Sequence, residues 1–228
     1  MWQELASVPI PFDAAGEVSV VLSPGSRIGP HGWVGIVLLG GAAIVTAPSE
    51  ETAGRIRRVF AELPDDKLTD PEEIGKVLPI GEVLGPFALA YVTNDGFRAA
   101  APPAGLRVEE VPGYFDLGDL EQVAGPEDAL EAGLDELSSP AFVVRVDGQV
   151  VAAAVYYEWP DGVASVSVLT APAWRRKGLS RATGSAAVKH ALAQGMLPQW
   201  RTRSAAAKKV ALGLGFTELG THLSVELL

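Results

Sequence analysis

The order of residue patterns in the second half of the chain most constrains the fold. Residues 142–158, FVVRVDGQVVAAAVYYE, form two β-rich runs around Asp-Gly, a dipeptide typical of a hairpin turn. Residues 163–170 alternate with a period of two and predict a third strand. An apolar stripe then predicts a long helix over 178–194, and a further strand is expected over 197–202. This order predicts an α/β fold in which helices pack on a mixed sheet.

Shorter elements are expected on both sides of this segment. Ser204 is suited to be the N-cap of a helix that ends near Gly213. The other predicted elements are a strand at 106–111, acidic helices at 116–123 and 126–137, and two short final strands, one at Phe216 and one at 219–227.

A boundary between two domains is expected at residues 99–105. This stretch, AAAPPAG, has neither apolar periodicity nor side chains that form a core. We expect a smaller N-terminal α/β domain over 1–103 and a larger α/β domain over 104–228. The elements predicted in the N-terminal domain are strands at 17–22, 33–38 and 43–46 and a helix at 49–63 capped by Ser49.

The two predicted domains share a short internal similarity. VTAPSEETAGRI (45–56) and LTAPAWRRKGLS (169–180) both contain Thr-Ala-Pro and a Gly six residues after the Pro. The first copy carries Glu50 and Glu51 where the second carries Trp174 and Arg175, so only the second is suited to hold an anion. The N-terminal domain is therefore either a degenerate duplicate or similar by coincidence.

The net charge of −10 conceals an asymmetry along the chain. From Ala171 onward there are nine Lys or Arg residues and two acids, whereas the first 170 residues hold nine cations and 26 acids. A bound polyanion accounts for the cationic last quarter better than a solvated basic face does. The acidic remainder would either attract a cationic amine or simply keep the chain in solution.

Composition also limits the cellular context. The chain has no Cys, so disulfides and thiolate chemistry are excluded. The longest apolar run, 33–47, is too short and too rich in Gly to span a bilayer, and no basic region precedes an apolar stretch at the N-terminus. Three scattered His do not make a metal site. We expect a soluble, cytoplasmic protein with no metal and no membrane partner.

Cations precede the predicted long helix. Arg175, Arg176 and Lys177 stand immediately before it, and Arg181 lies in its first turn. A helix N-terminus already carries partial positive charge from unpaired N–H groups, so cations there are unfavourable unless an anion binds. The phosphate motifs GxxxxGK[ST] and GxGxxG are absent from this turn. What stands there is Arg175-x-x-Gly178-x-Ser180.

This motif resembles the signature of the GNAT superfamily of acetyl-CoA-dependent N-acetyltransferases, Arg/Gln-x-x-Gly-x-Gly/Ala between a central strand and a long helix. Ser180 replaces the Gly or Ala of the last position. The strand VSVLT before the motif and a Val-Ala-x-x-Leu-Gly-Phe run at 210–216 extend the resemblance, which covers about 142–228. It implies a GNAT-like fold for the C-terminal domain, with acetyl-CoA as cosubstrate and no metal.

The resemblance also implies which residues contact coenzyme A. The end of the central strand would present backbone groups to the pantetheine arm and the thioester, and the helix start would bind the pyrophosphate. A backbone N–H near Leu169, where the family's central strand bulges, would bind the tetrahedral oxyanion. The residues implied in cofactor binding are Val168, Leu169, Thr170, Arg175, Arg176, Lys177, Gly178, Leu179, Ser180, Arg181 and Ser204.

Two positions depart from the family's pattern. Members often carry an Asn-x-x-Ser pair at the next helix start, and here Ser204 and Ala207 stand in those positions. We therefore expect a weaker cofactor contact there. The Tyr that acts as general acid in some members is replaced by Ala211, so a Tyr acid from that helix is ruled out.

The implied reaction is direct attack of a primary amine on the acetyl thioester through a tetrahedral intermediate. Presenting an amine of pKa about 10.4 in its neutral form at pH 7 costs roughly 4–5 kcal/mol. Glu158 is the first candidate for a catalytic base and Tyr157 the second catalytic candidate. A solvated carboxylate and a packing aromatic are the alternative roles of these two side chains. His190 is expected to be exposed on its helix. The acceptor, a small-molecule or a peptide amine, and a homodimeric assembly are left open.

Two other functions compete with this one. A catalytically silent CoA-binding or scaffold protein would keep the same motif, and Ala207 and Ala211 favour it. A nucleic-acid module would use the cationic last quarter. The total charge of −10 and the clustering of cations at one turn argue against a broad basic surface, so no nucleic-acid partner is expected.

Overall fold

A computed structural model describes residues 1–9, 16–112, 116–134 and 138–228. In chain order the strands are β1 (Val18–Leu22), β2 (Val34–Leu39), β3 (Ala42–Ala47), β4 (Ile80–Tyr91), β5 (Glu109–Val111), β6 (Ala141–Val146), β7 (Gln149–Trp159), β8 (Val163–Thr170), β9 (Leu197–Thr202) and β10 (Thr217–Leu227). The α-helices are α1 (Trp2–Leu5), α2 (Glu50–Phe60), α3 (Pro71–Val77), α4 (Gly118–Ala124), α5 (Pro126–Ala132), α6 (Leu179–Ala193) and α7 (Ala205–Gly213), and short 3-10 helices lie at Asp65–Lys67, Pro160–Gly162 and Pro172–Trp174.

The chain divides into two compact units. Unit 1 comprises Met1–Leu89 and Glu218–Leu228, and unit 2 comprises Ala90–Thr217. Each unit has a mixed sheet with helices packed against it, so the predicted α/β class with a mixed sheet is confirmed.

Unit 1 is built on the strand order β1-β3-β2-β10-β4. Strand β1 is parallel to β3, whereas β2 is antiparallel to both β3 and β10. Helix α2 begins as its sequence predicts, because the Ser49 hydroxyl accepts a hydrogen bond from the Thr52 N–H at 3.1 Å. Its buried face, which includes Ile56 and Phe60, packs with Leu223 of β10 in one apolar cluster.

Unit 2 follows the strand order β9-β8-β7-β6-β5. Strands β8 and β9 are parallel, and the pairs from β8 to β5 are antiparallel. Because successive side chains of β8 point to opposite faces, Val166 packs with α6 and α7 while Leu169 packs with α4 and α5. The central strand therefore carries helices on both faces, and the candidate functional residues lie at its carboxyl end.

The structure differs from the sequence predictions at several elements. The two final strands are one continuous strand, β10. The acidic helix predicted over 126–137 ends at Ala132, where Gly133 adopts a left-handed conformation, and residues 135–137 lie outside the described residues. Strand β4 and helix α3 were not predicted.

The compact units also differ from the predicted domain ranges, since residues 90–103 belong to unit 2 and residues 218–228 to unit 1. The ranges 1–103 and 104–228 and the duplication of one domain stay predictions.

Gly215, which follows α7, provides a test of the packing in unit 2. Its φ is +93°, and an added Cβ would collide with the backbone carbonyl oxygen of Gly96. We expect Gly215→Ala to lower the free energy of unfolding by about 2–5 kcal/mol, the sum of a left-handed backbone and a steric overlap. Chemical denaturation measures this change.

Gly195, which follows α6, is the matched control. Its φ is +76°, but an added Cβ would meet no atom within 4 Å. Gly195→Ala should therefore cost only about 1–2 kcal/mol. Equal losses in the two variants would show that the contact with Gly96 does not constrain the fold.

Candidate functional site

A cleft opens where β8 and β9 stop pairing. The two strands pair only between Val163–Ser165 and Leu197–Gln199, although both continue toward their carboxyl ends. Between the unpaired halves lies a cavity of about 560 Å³. Its walls come from α5, the end of β8, the loop before α6, the end of β9 and the start of α7. The lining residues are Asp128, Glu131, Ala132, Val166, Ser167, Val168, Leu169, Thr170, Arg175, Arg176, Ser180, Trp200, Arg201, Thr202, Ser204, Ala205, Ala206, Ala207, Lys209 and Val210.

The antiparallel ladder decides which backbone groups of β8 face this cavity. Just beyond β8, the Ala171 N–H donates to the Val151 carbonyl of the β7 side at 2.9 Å. Leu169 lies two residues earlier, opposite Ala153, so its N–H and carbonyl also point toward β7. Val168 and Thr170 have the opposite parity, and their backbone groups point away from β7 toward the cleft. The register is continuous through Leu169, so the bulge expected there is absent from this pairing.

The loop between β8 and α6 has the backbone of an anion-binding turn. Arg176 has a φ of 61° and Gly178 a φ of 82°, both left-handed. Gly178 is the N-cap of α6 and offers no side-chain cap, so the first N–H groups of the helix are left for an external acceptor. The predicted strand–turn–helix at this position is confirmed, and the cationic Arg176 side chain is exposed beside the cavity.

Thr170 connects the strand end to both the loop and the helix. Its carbonyl accepts a hydrogen bond from Arg175 Nε at 3.1 Å, and its hydroxyl lies 2.8 Å from the Ser180 hydroxyl. Arg175 also pairs with the Asp128 carboxylate at 2.5 Å. The first arginine of the motif is thus anchored to the protein itself, whereas Arg176 projects from the strained position of the loop.

The residues implied in cofactor binding divide into two groups. Those that line the cavity are Val168, Leu169, Thr170, Arg175, Arg176, Ser180 and Ser204. Those outside its lining are Lys177, Gly178, Leu179 and Arg181.

Two of these residues have contacts of their own. The Lys177 ammonium lies 4.1 Å from the ring centroid of Trp174, and the Ser204 hydroxyl caps α7 by accepting from the Ala207 N–H at 3.0 Å.

Sequence reasoning missed several residues of the cavity wall. Asp128 and Glu131 approach from α5, and Arg201 and Lys209 come from β9 and α7. The cationic composition of the last quarter pointed to Arg201 and Lys209 as a group. No local pattern marks the two acids, because their partners lie far away along the chain.

The catalytic candidates Glu158 and Tyr157 do not line the described cavity. Glu158 is exposed, and its backbone N–H donates to the Ser138 hydroxyl at 2.6 Å. The Tyr157 side chain is 42% exposed and packs edge-on against Trp159. Both geometries match the alternative roles, a solvated carboxylate and a packing aromatic.

The neighbouring Tyr156 forms a buried polar pair that the sequence did not indicate. Its hydroxyl lies 2.8 Å from Nδ1 of His190 on α6, and Phe142 packs against the same imidazole. The expectation that His190 is exposed is therefore wrong, since the residue is half-buried. Burial raises the pKa of Tyr156, and the nearby Glu158 and Glu110 carboxylates raise it further.

The described residues contain neither a membrane-spanning helix nor a metal-ligand cluster. None of the described helices is both long and apolar enough to cross a membrane. Within the same residues, no three side chains from His, Asp or Glu gather closely enough to hold a metal ion.

A family model matches part of the chain. Residues 139–222 match the family model described as GNAT acetyltransferase. This segment, which contains β8, the loop and α6, therefore belongs to the GNAT superfamily, as its motif predicted. No curated protein matches the chain.

Solved structures of the same superfamily also align with the chain. A GCN5-related N-acetyltransferase from Kribbella flavida is 20% identical with a TM-score of 0.49, covering 68% of this chain and 62% of its own. A GNAT-family acetyltransferase from Colwellia psychrerythraea is 16% identical with a TM-score of 0.49, covering 65% and 58%. A tandem GNAT protein from the clavulanic acid biosynthesis pathway is 12% identical with a TM-score of 0.45, covering 68% and 57%. The alignments thus span less than two thirds of the length of these structures.

The raised pKa of Tyr156 predicts a late step in an alkaline titration. Tyr156 should ionise above the ordinary value of about 10. Because its folded pKa is raised, its contribution to stability is complete below the unfolded pKa and is lost as the pH rises through the folded pKa. Absorbance of the tyrosinate ion should therefore include a late component that disappears in Tyr156→Phe.

Tyr157→Phe is the control for this titration, because it removes an exposed phenol from the next position of the same strand. The late component should persist in that variant. Its persistence in Tyr156→Phe instead would contradict the assignment.

Proposed function

We propose that unit 2 is an N-acetyltransferase that moves the acetyl group of acetyl-CoA to a primary amine. One observation carries the cosubstrate assignment: Arg176 and Ser180, on either side of the uncapped start of α6, line the cleft between β8 and β9. A helix N-terminus next to exposed cations suits a pyrophosphate. The primary amine acceptor, a small molecule or a peptide, comes from the family alone.

The volume of the cavity suits a small-molecule ligand such as the rest of the cosubstrate. A volume of about 560 Å³ lies within the usual range for small-molecule sites. Both backbone groups of Val168 and the N–H of Thr170 face it and would pair with the amides of an extended pantetheine arm, as a further strand would. The Thr170 carbonyl already accepts from Arg175 Nε. Lys209 and Arg201 add positive charge on the opposite wall.

The reaction follows from these placements. The thioester supplies an acyl carbon with a good leaving group. The amine nitrogen bonds to that carbon, the C–S bond breaks, the sulfur leaves as the thiolate of coenzyme A, and the surplus amine proton passes to a base or to water. The Val168 N–H is the backbone donor suited to the oxyanion, because the Leu169 N–H is directed into the β7 ladder. Because Glu158 and Tyr157 lie outside the cavity lining, they would exchange protons only with an amine substrate held outside the cavity.

A catalytically silent CoA-binding protein is the second candidate. Two observations favour it: Ala211 stands where some members carry a Tyr acid, and neither Glu158 nor Tyr157 lines the cavity. Release of the coenzyme A thiol from acetyl-CoA in a panel of amines separates the two functions. Binding without thiol release would favour the silent protein.

Thermal unfolding with and without acetyl-CoA tests the cosubstrate site. A ligand at about 100 times its Kd stabilises the folded state by about 2.7 kcal/mol. For a chain of this size this corresponds to a rise in Tm of about 5–10 °C. ATP serves as the polyanion control, and the rise should be specific to acetyl-CoA.

Arg176→Glu should remove most of this rise while the ligand-free protein still unfolds cooperatively, because the Arg176 side chain is exposed. Lys189→Glu makes the same charge change at an exposed position of α6 away from the cavity and should keep the rise. An equal rise in both variants would refute the role of Arg176. No rise in the wild type would refute the cosubstrate site.

A further inference from the structure

Two carboxylates line a cavity that is otherwise suited to phosphates. Asp128 and Glu131 lie on α5 and contribute to the same wall as Arg175. Like charges repel, so acids are unfavourable neighbours for a polyanionic ligand. Their presence beside the anion-binding turn therefore needs an explanation other than direct contact with that ligand.

Both carboxylates are paired with arginines, and one of these, Arg175, lines the cavity. Asp128 Oδ2 lies 2.5 Å from Arg175 Nη2, in the loop after β8. Glu131 Oε2 lies 3.7 Å from Arg203 Nη2, in the turn after β9. The two ion pairs thus connect the short helix α5 to the loop after β8 and to the turn after β9.

The pair between Asp128 and Arg175 resembles the contact that a phosphate would make. Arg175 donates from Nε to the Thr170 carbonyl at 3.1 Å and from Nη2 to the Asp128 carboxylate. A guanidinium donates to a carboxylate or to a phosphate with similar geometry. The Asp128 carboxylate thus uses a guanidinium N–H that could also bind a phosphate oxygen.

These contacts are weak enough to exchange. The side chains of Arg175 and Asp128 are 44% and 46% exposed, and exposed ion pairs contribute little because water and salt screen them. Arg203 and Glu131 are 47% and 31% exposed. A ligand with several phosphate charges can displace the Asp128 carboxylate without breaking the hydrogen bond that holds Arg175 to Thr170.

We infer that Asp128 is an internal competitor for Arg175 and that Glu131 repels the same phosphates from the cavity wall, so that the cosubstrate must displace the Asp128 carboxylate from Arg175 in order to bind. This inference rests on the proposed function, because it takes coenzyme A as the ligand. The contacts that the carboxylates make in the ligand-free protein lower its affinity for the cosubstrate. Their removal strengthens binding, although each of them contacts the cavity.

The test measures the Kd of coenzyme A by calorimetry for Asp128→Asn, which keeps the side-chain shape and removes the charge. Affinity should rise roughly two- to fivefold, the range spanned by exposed ion pairs. The gain should be largest at low salt and shrink as salt increases, because the repulsion is screened. Asp128→Asn combined with Glu131→Gln should bind more tightly than either single variant.

Glu127→Gln is the matched control. Glu127 precedes Asp128 on the same helix, is exposed and lies outside the cavity lining, so it makes the same change in total charge. Its affinity for coenzyme A should stay at the wild-type value. Pantetheine, which lacks all phosphates, should show no gain in Asp128→Asn, and thermal unfolding without ligand checks that each variant is folded.

The outcomes separate this inference from the proposed function. If the wild type binds tightly and Asp128→Asn binds equally or more weakly, the inference alone is overturned. Asp128 would then position Arg175 for binding. Equal gains in Asp128→Asn and Glu127→Gln would also overturn it, since total charge would then be the cause. No binding by the wild type or by any variant would overturn both the inference and the cosubstrate site.

Discussion

The candidate site depends on the hydrogen bonds that Thr170 makes at the end of β8. Its carbonyl holds Arg175, and its hydroxyl meets that of Ser180 in the first turn of α6. Without these contacts, a loop with left-handed residues at Arg176 and Gly178 would have many alternative conformations. The strand, which is fixed by its ladder with β7, therefore fixes the direction in which the helix presents its unpaired N–H groups.

The cleft itself is a consequence of pairing that stops early. Parallel strands normally satisfy each other's backbone groups, and β8 and β9 do so only at their first three paired residues. The Thr170 carbonyl accepts from Arg175, and the groups left over, both of Val168 and the N–H of Thr170, are costly to bury without a partner. A site of this kind binds its ligand through backbone groups. The position at which β8 and β9 stop pairing therefore matters more than the identities of the strand side chains.

How much the sequence predicts depends on the range of the interactions involved. The hairpin, β8, α6 and the capped start of α2 follow from local patterns, and the structure confirms them. Strand β4 was missed because Gly81, Gly85 and Pro86 interrupt its pattern, whereas helix α3 carries an Asp70 cap that could have revealed it. Asp128 pairs with an arginine 47 positions away, a contact that no local pattern encodes.

The regular register between β7 and β8 has a consequence for how such a site can evolve. That register is set by the turn at Pro160–Gly162, at the opposite end of β8 from the cavity, where Asp161 and Gly162 are both left-handed. Inserting or deleting one residue in this turn would exchange odd and even positions along the whole strand. The cavity would then face the backbone of Leu169 instead of that of Val168. The length of this distant turn thereby determines which backbone N–H and carbonyl groups of β8 face the cavity.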